Sequence, residues 1–346
     1  MKGEKMRKVW SLLLIIVLVA TVLGGDNVQT RAAQKKPVPP MNVILIGWDA
    51  AQRNHVKECL ARKELPNLEK LSREGSLVAI DIIRMTQTKP GWAQILTGYE
   101  PEVTGVFSSD RYQPIPKGLT IFERLEEHLG QENIVTVAVV GKKGYIDAPQ
   151  KTEIKDEANE IKNKQAGANI IEEDGVKYRV VPGKPYYYTK DNMDLFEDSL
   201  ILDEKVGTRA MELLEKYKDK RFFFFVHFAE IDQKGHQYGE NSKEYNDALI
   251  SADNWTGKIM QKLKELKLYD KTLIYVTADH GFDEGMKSHI DAPYVFLATN
   301  DPKVMRRGER ADITPTILER FGLDLSKIAP PLDGHPLTRP YKPPIW

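Results

Sequence analysis

The 346 residues are 41% hydrophobic and 29% charged, a globular mixture long enough for one large α/β domain, and fifty Lys plus Arg balance fifty Asp plus Glu. A formal charge of zero excludes a whole-molecule field that would recruit nucleic acid or an anionic membrane, so anion binding has to be local. The single cysteine, Cys59, excludes a disulfide framework and any Cys-rich zinc module; it reads as a buried helix residue.

Lys2, Lys5, Arg7 and Lys8 precede an apolar run over residues 9–23 and then Gly24-Gly25, the layout of a signal peptide or, left uncleaved, of an N-terminal membrane anchor. Either way residues 1–25 predict a secreted, periplasmic or extracellular protein with its basic flank left in the cytoplasm. No cysteine follows the run, which excludes a lipoprotein anchor. Residues 26–40, polar and carrying Pro37, Pro39 and Pro40, predict a linker, and the folded domain is expected over 41–346.

Residues 42–47 (NVILIG) predict a buried strand running into Asp49. Helical periodicity over 55–73 stops at Gly75, and 77–83 predicts a second strand. Further strands are expected at 134–140, 222–228, 273–277 and 294–298, with amphipathic helices at 119–129, 195–217, 244–266 and 313–321. This alternation predicts an α/β fold with a largely parallel central sheet covered on both faces, whose ligand site lies beyond the strands' carboxyl ends. Residues 150–191 break the pattern. They are rich in Lys and Glu, with an Asp174-Gly175 turn signal between Ile170-Ile171 and Tyr178 to Val181, and predict an inserted helix and hairpin: a small cap or a surface excursion. Tyr186, Tyr187 and Tyr188 within it would suit stacking on a nucleoside or aryl group, or a plain aromatic strand.

Three acid and histidine groups flank apolar strands: Asp49; Asp232 and His236 in AEIDQKGH; Asp279 and His280 in TADHGF, with His289 shortly after. Parallel strands would gather these oxygen and imidazole donors on one rim, where they can bind zinc or a similar divalent ion. His227, inside the strand FFFFVHFAE, reads as a core residue, and His55, His128 and His335 have no comparable setting. Thr88 is followed by Pro90, Gly91 and a short apolar helix closed by Gly98, so a hydroxyl stands at a helix N-terminus, where free amides favour an anion. Alone, Thr88 reads as a helix cap, because threonine is nucleophilic only when a metal or a base deprotonates it.

The segment TKPGWAQILTGYEPEVTGV resembles the nucleophile segment of nucleotide pyrophosphatase/phosphodiesterases and sulfatases in the alkaline phosphatase superfamily. The order Asp, nucleophile, Asp-x-x-x-His, Asp-His-Gly, His is similar to theirs, as are Leu65-Pro66-Asn67-Leu68, DITPTILERFG and Asp333-Gly334, so the likeness spans about residues 42–337. It implies an alkaline-phosphatase-like three-layer sandwich with two divalent metals, zinc first among them. It further implies that Asp232, His236 and His289 hold one metal, and Asp49, Asp279, His280 and the Thr88 oxygen the other. Thr88 would then be the nucleophile, giving a phosphothreonine, and Lys89, Gly91 and Lys142 would face the substrate.

The expected activity is hydrolysis of a small-molecule phosphoric ester, of the phosphodiesterase/nucleotide pyrophosphatase type. Gly91 stands where those enzymes carry a phosphate-binding asparagine, and Lys89 and Lys142 would suit a more highly charged monoester, so a phosphate monoesterase or phosphonate-ester hydrolase is the alternative. Sulfate hydrolysis is disfavoured by Thr88 and Trp92, where formylglycine formation needs Cys or Ser and an Arg. A cofactor-independent phosphoglycerate mutase is disfavoured by the leader. A non-catalytic exported binding protein is the rival from another class.

Overall fold

The computed structural model describes residues 42–110, 115–142, 151–165, 169–180, 193–292 and 294–341. The expected leader and linker and Tyr186, Tyr187 and Tyr188 lie outside them.

In chain order the strands are β1 (Asn42–Trp48), β2 (Ser76–Asp81), β3 (Val135–Val140), β4 (Lys151–Glu153), β5 (Asn169–Glu173), β6 (Val176–Val180), β7 (Leu195–Glu197), β8 (Phe222–Phe228), β9 (Thr272–Thr277), β10 (Tyr294–Thr299) and β11 (Gly308–Glu309). The helices are α1 (Arg53–Ala61), α2 (Pro66–Glu74), α3 (Thr88–Thr97), α4 (Pro101–Thr104), α5 (Ile121–Leu129), α6 (Glu157–Gln165), α7 (Asp203–Lys216), α8 (Glu230–Tyr238), α9 (Lys243–Glu265) and α10 (Ile313–Phe321). Eight strands form one sheet in the order β11-β2-β10-β9-β1-β8-β3-β7. Only β10 runs against the rest, pairing antiparallel with both β2 and β9, so the sheet is largely parallel as its apolar runs predict.

β1 and β8 lie side by side in the middle and are buried along their whole length. Their alternate side chains serve opposite layers. On β8, Phe223 meets Phe122 of α5 and Phe225 meets Trp92 of α3, while Phe224 meets Tyr217 just after α7. Helices α3, α5 and α10 pack together on one face; α1, α2, α7, α8 and α9 cover the other. The result is the expected three-layer sandwich.

Three expectations need correction. The single helix over 55–73 is two, α1 and α2, because Pro66 can start a helix but not continue one, and Lys63 turns left-handed between them (φ 64°). The helix expected from 195 begins only at Asp203; Leu195–Glu197 instead pairs with β3 as the sheet's edge strand β7. The second strand ends at Asp81 rather than 83. Within the insertion, α6 and the β5–β6 hairpin turning at Asp174-Gly175 match the expected helix and hairpin, and β4 adds a third strand on β6.

Candidate metal and nucleophile site

The carboxyl ends of β1, β3, β8 and β9 meet at one rim, and each delivers a polar group there. β1 runs into Asp49, whose amide donates to the Phe228 carbonyl of β8. The next residue, Ala50, is left-handed (φ 64°), which turns its amide onto Asp279 Oδ1 at 3.2 Å. Such a conformation costs a residue with a Cβ about 1–3 kcal/mol, and here it links two neighbouring strand ends. β8 leads into α8, where Asp232 and His236 stand one helical turn apart on the same face. β9 is followed by Asp279 and His280, and β3 by Lys142.

Two groups of donors result, with ligand atoms within 4.8 Å of one another: Asp49, Asp279 and His280 in one, Asp232, His280 and His289 in the other. His280 therefore belongs to both, and the His280 and His289 rings lie 4.2 Å apart. His236 stands beside the second group, its Nε2 3.4 Å from Asp232 Oδ1. Thr88 is the first residue of α3 and caps nothing; its Oγ1 lies 3.2 Å from His280 Nε2 and 3.4 Å from Lys142 Nζ. The Lys142 ammonium bridges the groups, 2.9 Å from Asp49 Oδ1 and 2.8 Å from Asp232 Oδ2.

Hydrogen bonding decides which atoms face inward. His280 Nδ1 donates to the Gly281 carbonyl (2.9 Å), which turns the Nε2 lone pair toward Thr88 and toward Asp49, Asp232 and Asp279 at 3.5–3.7 Å. His236 Nδ1 donates to the Lys287 carbonyl (2.9 Å), leaving Nε2 toward Asp232. Asp232 Oδ1 and Asp279 Oδ2 are buried and accept no hydrogen bond from any described residue. Lone pairs facing lone pairs in a buried place are unfavourable without a cation between them, so these donors fit divalent metal ions.

The ionisation of the groups agrees. Burial drives the Asp279 carboxyl well up, and the neighbouring Asp49 carboxylate drives it further. Burial, the largest single influence, also opposes the charge of Asp49 and Asp232, but Lys142 acting with His227 at Asp49, and with His236 and His280 at Asp232, holds both below the usual carboxylate range. Lys142 is raised although burial works against it, because Asp49, Asp232 and Asp279 surround it. Burial, then repulsion from His280 and His236, lowers His289 to about 4, so its imidazole is neutral and able to ligate at neutral pH.

Of the remaining expected residues, neither Lys89 nor Gly91 brings a side-chain donor to this cluster. Lys89 is half-buried at the start of α3, its backbone amide bound to Ser109 Oγ (3.1 Å). Burial and then the positive charge of Arg179 on β6 lower its pKa, with Asp110 opposing. Gly91 is seated tightly: a Cβ there would come within 2.8 Å of Asp279 Cβ and Asp279 O. A side chain at 91 is therefore excluded, and only backbone can face a substrate at that position.

Two contributors are not apparent in the sequence. His227 is fully buried, as a core residue should be, but its Nε2 donates to Asp49 Oδ2 at 2.8 Å and so orients a member of the first donor group. The register Gly47↔His227 is the only hint, and it needs the strand pairing to be known. Arg310, also buried, donates to Asp279 O and Met85 O (both 2.7 Å), tying the end of β9 to the turn before Thr88.

Several solved structures share this fold, which is that of the alkaline phosphatase superfamily. A superfamily protein from Vibrio parahaemolyticus aligns over 88% of this chain and 71% of its own, with TM-score 0.52 and 18% identity. The lipoteichoic acid synthase LtaP from Listeria monocytogenes aligns over 86% and 75%, with TM-score 0.51 and 17% identity. Residues 43–322 match the profile of the type I phosphodiesterase / nucleotide pyrophosphatase family, and the chain belongs to that family. Its relatives include bis(5'-adenosyl)-triphosphatase ENPP4 of Homo sapiens, 22% identical over 84% of this chain and 58% of that protein. N-acetylgalactosamine-6-sulfatase of Canis lupus familiaris is 24% identical over 78% of this chain and 53% of that protein. The chain spans about half the length of the curated relatives it matches.

Proposed function

We propose that this chain is an exported hydrolase of small phosphoric esters, of the phosphodiesterase/nucleotide pyrophosphatase type, with Thr88 as its nucleophile. The observation that carries the reading is the position of Thr88 Oγ1, in contact with His280 and Lys142 between two groups of inward-facing donors. Two divalent cations, zinc by the oxygen and imidazole donor set, would be held by Asp49, Asp279, His280 and Thr88 and by Asp232, His236 and His289, where they would acidify the Thr88 hydroxyl and neutralise phosphoryl oxygens.

Thr88 Oγ attacks phosphorus in line with the leaving alcohol; the P–O bond to that alcohol breaks and a phosphothreonine forms, which water then hydrolyses. Lys142, held protonated by its carboxylates, donates from Nζ toward Thr88 Oγ1 and stabilises the alkoxide. His227 keeps Asp49 oriented, and Arg310 ties the Asp279 carbonyl to the Met85 carbonyl in the turn before the nucleophile. Charge favours a diester. Asp49, Asp232 and Asp279 outweigh Lys142 by two negative charges, so the loaded centre carries two positive ones; the Thr88 alkoxide takes up one and a singly charged diester the other.

Export rests on residues 1–25 and is checked by fractionating expressing cells. Among the described residues no helix is long and apolar enough to cross a membrane. Acid quenching during turnover of an aryl phosphodiester should trap a phosphoryl group on the peptide containing Thr88. Thr88→Ala should lose the adduct and about a thousandfold or more in kcat. Full turnover by the variant, with metals bound, would refute the assignment.

A further inference from the structure

The segment between β7 and α7 turns sharply at Ile201, where Leu202 N donates to Leu200 O (2.8 Å). Ser199 and Ile201 are both left-handed (φ 64° and 66°). For a β-branched residue this is an outlier, since its Cβ substituents crowd the backbone there. Ile201 is moreover 57% exposed, and Leu202 beside it 42%, so no burial in the core offsets the strain. The segment is pinned to the site: Leu200 N donates to Val140 O (3.3 Å) and Ile201 N to Gly141 O (3.0 Å), the residue before Lys142. Helix α7 then starts at Asp203, whose carboxylate accepts from Ala229 N (2.8 Å) and Glu230 N (3.3 Å) at the start of α8.

Across the sheet order, on the β9–β10 side of Asp49, stands a second exposed isoleucine. Ile290 follows His289, is 77% exposed, and accepts the Thr86 hydroxyl on its carbonyl (3.1 Å), two residues before Thr88. Met286 on the same loop is 56% exposed, and Ile83, on the turn leading to Thr88, is 68% exposed. Large exposed apolar side chains thus stand on the segments next to a centre whose donors are charged and polar. Strain and exposed apolar surface concentrated at a reaction centre are commonly retained for contact with a ligand.

We propose that Ile201 on one side and Ile290 on the other are apolar substrate-contacting walls, and that the ester hydrolysed is a phosphodiester carrying an apolar alkyl or aryl group. This rests on the hydrolase reading above and narrows its substrate class. The charged floor binds the phosphoryl group, and selectivity comes from apolar area removed from water at the rim.

The test is a ladder of 4-nitrophenyl methyl, butyl and octyl phosphates below their micellar concentrations, with a phosphatidyl diester in vesicles as a parallel arm. The parent protein should show kcat/KM rising from methyl to octyl by about tenfold or more, the scale of burying a few methylenes. Ile201→Gly, which relieves the left-handed strain while removing the wall, should flatten that rise and raise the melting temperature. Ile201→Asn, which keeps a side chain of similar size but makes it polar, should flatten it as well. A rise seen only with the vesicle diester would identify a lipid as the source of the apolar group; a rise with the soluble esters would identify a single small molecule. Equal kcat/KM along the ladder, an undiminished rise in both Ile201 variants, or a lower melting temperature for Ile201→Gly would overturn the inference while the hydrolase reading stood. No turnover of any ester by metal-loaded protein would overturn both.

Discussion

At the scale of single residues, the rim of the sheet is expensive in charge and is held together by a few hydrogen bonds to otherwise buried groups. Asp203 shows this most simply. It is fully buried, one oxygen accepts two amides at the start of α8, and the other has no partner among the described residues. Burial pushes its pKa up to about 7, with the nearby Glu230 and Asp49 charges adding to the effect. Its folded value thus lies above the ordinary 3.8, so its contribution to stability is complete below about pH 4 and is lost as pH rises through 7. Asp203→Asn keeps an acceptor for Ala229 N without the titrating charge. Its stability relative to the parent should therefore grow between pH 4 and 7, by on the order of a few kcal/mol, in urea titrations at stepped pH. A constant difference across that range would show that folding leaves the Asp203 pKa unshifted.

At the scale of elements, helix α3 explains why Thr88 is so firmly placed. Of its ten residues only Lys89 is not buried, because the helix is wedged between the sheet and α10. Trp92 lies against Phe225 and His227 of β8, and Thr314 of α10 donates to the Ile95 carbonyl (2.6 Å). Gly91 sets how closely the first turn approaches Asp279. Gly91→Ala should cost about 1–3 kcal/mol of stability by overpacking, read from chemical denaturation, and should lower turnover as well by pushing α3 away from the end of β9. Unchanged stability would mean that the Asp279 and Arg310 contacts yield freely. An apolar period of 3.6 carries across 55–73, but the backbone at Pro66 does not; and Leu195 and Phe196 suit either the first turn of a helix or an edge strand until β3 is there to pair with.

At the scale of the whole molecule, the donor groups join the ends of β1, β8 and β9 to the loop carrying His289, so ions bound there would act as staples between distant parts of the chain. Any ion that binds only the folded state stabilises it, by about 2.7 kcal/mol at a hundred times its dissociation constant. Chelation should lower the melting temperature by about 5–10 °C, and zinc should restore it. Identical melting with and without chelator would argue that these groups hold no metal in solution. Because His289 is depressed to about 4 by burial and by its histidine neighbours, its part in zinc affinity should persist well below the pH at which an ordinary histidine is lost.

Much of this was legible in the sequence. Apolar runs of strand length identify β1, β3, β8 and β9, since continuous burial demands uninterrupted apolar side chains; the residue types that follow them, Asp49, Asp232, Asp279 and His280, have no place in a core and so mark a site. What tertiary structure alone decided is which atoms meet. Lys142 bridging Asp49 and Asp232, His280 belonging to both donor groups, His227 donating to Asp49, and Arg310 spanning Asp279 and Met85 all depend on strand order and register. The physical reason is one of range. Periodicity and composition act over a few neighbouring residues, whereas a contact such as that of Arg310 with Met85 joins positions 225 apart, and only packing the sheet and its two helical layers brings them together.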